Sequence, residues 1–156
     1  MDRRHAMMRG EPLPERTHGA ALFADISGFT PLTEALARTL GPQRGAEELT
    51  RQLNLVYDAL IAEVDRYGGS TISFSGDAIT CWFNHDDGHR ATQTALAMQR
   101  AMQAFTAIGL PNGDTVSLAL KVAVTSGIVQ RFVVGDPSIQ LVDVLAGNTL
   151  NRLATA

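Results

Sequence analysis

The chain has 156 residues, 45% hydrophobic and 19% charged, a size and balance that suit one compact domain and are too small for two full ones. A formal net charge of −3 excludes the basic footprint that nucleic acid or an anionic membrane selects. No apolar run approaches the roughly 20 residues of a membrane span, and the single cysteine, Cys81, excludes an internal disulfide framework and fits a reducing, cytoplasmic setting.

In chain order, residues 1–18 mix Arg, Glu, Pro and Gly without hydrophobic period and read as a flexible leader before a domain spanning 19–156. The apolar run Ala20–Ile26 predicts a buried strand that stops at Ser27-Gly28, and Thr30-Pro31 predicts an N-cap and first turn of a helix towards Leu40. After Gly41-Pro42, Leu49, Leu53, Val56, Leu60, Val64 and Tyr67 recur at three- and four-residue steps, an amphipathic helix ended by Gly68-Gly69. Residues 70–74 and 78–83 flank Ser75-Gly76-Asp77 as a hairpin, and His89–Phe105 carries another helical stripe. Val116–Val124 and Ile128–Val134 predict a strand pair, Gly135-Asp136-Pro137 a turn, Leu141–Leu145 one more strand, and Asn148 to Ala156 a final helix. The order predicts an α+β, ferredoxin-like βαββαβ core with a mainly antiparallel sheet and helices on one face.

In such a core the first and third strands are antiparallel neighbours. Asp25 ends the first and Asp77 begins the third, so the pairing brings two remote carboxylates to one end of the sheet. Paired carboxylates repel unless a cation relieves them, and Mg²⁺ is commonly held by one or two carboxylates plus phosphates and water. Ser27-Gly28-Phe29-Thr30 leads into a helix N-terminus, where free N–H groups favour phosphate and glycine permits close approach. On spacing alone, a plainer account stands beside this one: Asp25 as a turn residue, and Asp77 as the end of a Gly-Asp hairpin.

Phe23-Ala24-Asp25-Ile26-Ser27-Gly28-Phe29-Thr30 resembles the metal-and-phosphate loop of class III adenylyl and guanylyl cyclases. Tyr67-Gly68-Gly69 followed by Phe74-Ser75-Gly76-Asp77-Ala78 is similar to that family's second metal-binding hairpin, and Gly45-Ala46-Glu47-Glu48-Leu49 to soluble, bicarbonate-responsive cyclases and bacterial relatives. The resemblance implies a cyclase-fold domain, C-terminally truncated at Ala156, that converts ATP, with GTP the alternative, to a cyclic nucleotide and pyrophosphate. It implies two Mg²⁺ or Mn²⁺ ions held by Asp25, Asp77 and the carbonyl of Ile26, and a triphosphate cradled by the N–H groups of Gly28, Phe29 and Thr30. It also implies a dimer, as a homodimer or with a complementary cyclase domain that supplies a lysine and an aspartate for the purine and an asparagine and an arginine for the transition state. Of that second set this chain retains only Asn151. Ser73 stands at the lysine position, Val144 at the acidic position with Asp143 one residue away, and Thr155 at the arginine position with Arg152 nearby. The sole lysine, Lys121, reads as a surface or structural residue. The chain therefore resembles the metal-bearing member of an unequal pair.

Other residues read plainly. His85, Asp86, Asp87 and His89 fit a solvated loop with Asp86 or Asp87 capping the next helix, rather than a metal site. Cys81 fits an inert core thiol. Two other functions compete. A haloacid-dehalogenase-type hydrolase requires an aspartate where Ser27 stands. A degenerate cyclase homologue that only binds nucleotide or dimerises matches the loss of lysine and arginine.

Overall fold

The computed structural model describes residues 9–10, 14–136 and 138–153. Strands β1 (Arg16–Ser27), β2 (Ser70–Ser75), β3 (Ala78–Asn84), β6 (Ala119–Asp136) and β7 (Gln140–Ala146) form one antiparallel sheet in the order β2-β3-β1-β6-β7. A two-residue ladder joins β4 (Ile108–Gly109) to β5 (Thr115–Val116). Helices α1 (Phe29–Leu40), α2 (Pro42–Arg66) and α3 (His89–Ala101, continued by a 3₁₀ turn at Met102–Phe105) complete the βαββαβ core, and α4 (Asn148–Leu153) follows β7.

Strand alternation divides the packing. Ala20, Leu22, Ala24 and Ile26 of β1 join Ile79 and Phe83 of β3 and meet Leu32, Leu36, Val56, Leu60, Val64 and Met98 of the three longer helices. The other face carries a smaller cluster of Ala21, Trp82, Val129 and Leu153, the last from α4. The short α4 therefore departs from the expectation of helices on one face only. No helix among the described residues is long and apolar enough to cross a membrane.

Several boundaries move. β1 begins at Arg16, so Arg16–His18 belong to the sheet and not to a leader; Met1–Met8 and Glu11–Leu13 lie outside the described residues. An apolar-run criterion misses this half because it alternates: Thr17 is buried and donates to Asn84 Oδ1 (2.6 Å), while Arg16 and His18 are exposed. Helix α1 starts two residues early, with left-handed Gly28 (φ 103°) as its N-cap in place of Thr30. Pro42 opens α2 at its first turn, which carries that helix upstream of the apolar stripe that begins at Leu49. In place of the predicted strand pair over 116–134 there is one continuous strand from Ala119 to Asp136, with Val116 in β5, because Thr125-Ser126-Gly127 does not turn but pairs rung for rung with Ala21, Ala20 and Gly19. The turn before β7 lies where expected, with Asp136 Oδ1 accepting from Ser138 N–H (2.8 Å), although Pro137 itself is outside the described residues, as are Ala154–Ala156. Asp86 caps α3 by accepting from the N–H groups of Arg90 (3.1 Å) and Ala91 (3.0 Å), and Asp87 accepts from His89 N–H (3.1 Å). Cys81 is buried, and burial pushes its thiol up to about 12, as an inert core residue requires.

Truncating Leu60, fully buried in the helix-facing core, leaves a cavity. Leu60→Ala is expected to lower unfolding free energy by about 3 kcal/mol, and Leu96→Ala, on an exposed position, by less than about 0.5, both read from urea midpoints.

Candidate functional site

Because Leu22, Ala24 and Ile26 face the helices, Asp25 must face the open side of the sheet with Phe23 and Ser27. β1 is flanked on both sides at this point: Asp25 lies opposite Ala78 of β3 and opposite Lys121 of β6. One rung further, Ile26 N–H donates to the carbonyl of Asp77 (3.2 Å). The two aspartates therefore occupy neighbouring rungs at the same end of adjacent strands, Asp25 half-buried and Asp77 exposed on the β2–β3 turn. Ile26 contributes its backbone here, since its side chain is wholly buried. In antiparallel pairing a residue's N–H and C=O share one side, so the Ile26 carbonyl also faces the Asp77 turn.

Gly28 is required twice over. Its φ of 103° suits glycine, and a Cβ there would meet the Ser117 carbonyl oxygen at 2.5 Å. Helix α1 has no side-chain cap at its N-terminus and no acidic residue in its first turn. The leading amides of Phe29 and Thr30 thus start a helix whose dipole favours an anion, next to the end of β1 that bears Asp25. Phe29 packs against the core and Thr30 is exposed.

Among the described residues no three or more His, Cys, Asp or Glu side chains gather in one group. A closed protein cage for a metal is therefore not built there. Two carboxylates and a backbone carbonyl at one sheet end fit instead a hard cation that takes its remaining oxygens from phosphates and water.

The sequence reading takes Lys121 as a surface or structural residue, and it is exposed. Its strand register puts it directly across from Asp25, and both line a cavity of about 700 Å³ on the open face. Lys121 makes no ion pair within 4 Å among the described residues, although a carboxylate is its cross-strand neighbour. The signal was absent from the linear text, because only the β1–β6 register connects position 121 to position 25.

The remaining candidates separate from the aspartates. Ser73 and Val144 line the same cavity, whose walls are mainly apolar, with Phe23, Ile72, Leu145 and Leu150 among them. Asp143 is not available to a ligand: Arg131 Nε donates to both of its carboxylate oxygens (3.0 Å each), Nη2 donates to Oδ2, and the side chains are 4% and 9% exposed. Asn151 and Arg152 are exposed on α4. That helix is fastened by Thr149 Oγ1 donating to the Ile128 carbonyl (2.8 Å) and by Leu153 packing near Ala21. Those contacts lie seven residues along β6 from Lys121 and four along β1 from Asp25, so α4 sits about 13 to 23 Å up the sheet. Within one chain, Asn151 does not join the aspartates. Thr155 lies outside the described residues.

The open face of this ferredoxin-like sheet sets two carboxylates beside a helix N-terminus suited to phosphate. Residues 15–154 match the adenylate and guanylate cyclase catalytic domain, and the chain belongs to that family. It is 26% identical over 119 residues to adenylate cyclase type 10 of Oryctolagus cuniculus, covering 76% of this chain but 7% of that protein. In fold it resembles the guanylyl cyclase Cya2 (TM-score 0.72, 23% identity, 90% of this chain and 68% of that one). It also resembles the adenylyl cyclase CyaB from P. aeruginosa (TM-score 0.69, 23% identity, 89% of this chain and 70% of that one).

Breaking the Arg131–Asp143 pair leaves a buried charge. Asp143→Ala is expected to destabilise the chain by about 3 kcal/mol, with Arg131→Met/Asp143→Leu recovering most of the loss, as measured by chemical denaturation.

Proposed function

We propose that this cyclase domain supplies the metal- and phosphate-binding half of a composite active site, where ATP becomes cyclic AMP and pyrophosphate against a complementary cyclase domain. The adjacency of Asp25 and Asp77, made by the Ile26–Asp77 hydrogen bond, carries this reading. Asp25, Asp77 and the Ile26 carbonyl would hold two Mg²⁺ or Mn²⁺ ions. When bound, such ions lower the pKa of a coordinated hydroxyl and neutralise charge on the phosphates.

The chain's own groups bind and orient. The amides of Gly28, Phe29 and Thr30 receive the triphosphate at the head of α1, and Lys121, across from Asp25, adds the one lysine charge the chain possesses. In the reaction the substrate's 3′-oxygen gives its proton to water and bonds to the α-phosphorus. The bond from that phosphorus to the bridging oxygen of pyrophosphate breaks, and pyrophosphate leaves with the electron pair. The second domain contributes what is missing here: purine-reading groups in place of Ser73 and Val144, and an arginine on the transferring phosphoryl worth on the order of 10³-fold. ATP is favoured over GTP by the named activity of the type 10 adenylate cyclases, of which this chain spans a small part.

The locked Arg131–Asp143 pair favours one second reading, a nucleotide-binding regulatory domain without turnover. An assay with Mn²⁺ and ATP separates the two. The isolated chain is expected to make essentially no cyclic AMP, and mixing it with a cyclase domain bearing the complementary lysine, aspartate and arginine is expected to restore synthesis. Asp25→Asn or Asp77→Asn in the mixture is expected to lower the rate at least about 100-fold. Robust synthesis by the chain alone would overturn the division of roles, and silence of every mixture would favour the regulatory reading.

A further inference from the structure

Asp77 stands on an exposed turn, and exposed turns are mobile unless something outside them fixes their backbone. Two contacts reach this turn from elsewhere in the fold. From one side β1 grips it through Ile26 N–H to the Asp77 carbonyl (3.2 Å). From the other, helix α2 grips it through Tyr57, whose hydroxyl donates to the Gly76 carbonyl (3.1 Å). Gly76 is itself left-handed (φ 62°) and has nothing within 4 Å of where a Cβ would stand, so no packing by its own residue steadies it. The Tyr57 ring also meets Phe74, just upstream of the turn, edge to face at 5.3 Å and 84°. That contact explains an otherwise costly feature, a phenyl ring 54% exposed at the end of β2. Tyr57 is well placed to act as a fixed post: the preceding Val56 and the following Leu60 are fully buried in the core.

We infer that Tyr57 is a positioning residue for the metal-holding turn, its hydroxyl and ring tying Gly76 and Phe74 to helix α2 so that Asp77 keeps its place beside Asp25. The inference rests on the metal-binding reading above and adds a residue that touches neither metal nor nucleotide. Burial, and then the nearby Asp77 carboxylate, raise the Tyr57 pKa, so the phenol stays protonated and able to donate at neutral pH. A divalent ion with near-ideal geometry tolerates little play between its ligands, and supporting contacts of this kind commonly change metal affinity severalfold or more.

Tyr57→Phe deletes the hydrogen bond and keeps the ring; Phe74→Leu keeps the hydroxyl and deletes the ring pair. Two measurements on the full 156-residue chain apply. The first is hydrogen exchange of the Ile26 amide without metal, which reports how firmly the turn is seated because that amide's acceptor is Asp77. The second is the Kd for Mn²⁺, followed by its EPR signal with a saturating non-hydrolysable ATP analogue. Tyr57→Phe is expected to speed Ile26 exchange about five-fold and to weaken Mn²⁺ binding about five-fold, the loss of one net hydrogen bond, with Phe74→Leu smaller in both. Unchanged Ile26 exchange in Tyr57→Phe would overturn the inference. Faster exchange with unchanged Mn²⁺ affinity would overturn it too, by showing a turn held to no purpose at the metal. If the unsubstituted chain binds no Mn²⁺, the metal reading fails and this one with it, whereas the exchange result still shows whether Tyr57 holds the turn.

Discussion

The register between β1 and β3 is the constraint on which both the core and the candidate site depend. With Leu22 opposite Cys81 and Asp25 opposite Ala78, Leu22, Ala24 and Ile26 enter the helix-facing core, while Asp25 is left on the open face. A slip of one residue would exchange the two sets, driving a carboxylate into the apolar layer and exposing three aliphatic side chains. The pairing that buries the core is therefore the same pairing that seats Asp77 against Ile26. A change that shifts this register disturbs the core and the placement of the two carboxylates together.

Charge at that end is arranged for anions only with help. Asp25 and Asp77 repel a triphosphate as well as each other, and Lys121 is the nearest fixed positive charge that the register supplies. The leading amides of α1 add partial positive charge without a side chain, because Gly28 turns the chain left-handed into the helix and leaves no capping oxygen in the way. One lysine and a helix dipole do not balance two carboxylates and a triphosphate. A bound divalent cation closes that gap, which is the electrostatic reason the proposed reading includes one.

Much of this was legible in the linear text, and the misses have physical causes. The βαββαβ order, the long amphipathic α2 and the strand ends carrying Asp25 and Asp77 follow from periodicity and glycine placement, which are local properties. Arg16–His18 were misread because alternating polar residues resemble linker until a partner strand shows which of them are buried. Thr125-Ser126-Gly127 were misread because residues that favour turns stay extended when a long neighbour such as β1 pairs with every one of them. Lys121 was read only as a surface or structural residue, and Tyr57 was not singled out, for a different reason. Each acquires its position only from a contact across more than 18 residues, Lys121 through a strand register and Tyr57 through a helix laid beside a turn.

The spacing along the sheet gives the two-domain arrangement a footing of its own. Asn151 rides on α4, over the rungs of Ala21 and Ile128, while the aspartates stand at the far end of the same strands. Asn151 is therefore anchored several rungs away from the strand end that carries the aspartates in the same chain. The open face between them is walled largely by aliphatic residues, and its one acidic group near the base-reading position, Asp143, is spent on Arg131. Besides Asp25, Lys121 and the paired Asp143, the polar side chains lining that face are Ser73 and Thr80, two short hydroxyls. In the proposed reading, a second domain laid against this face in the opposite sense brings its own base-reading groups to these aspartates.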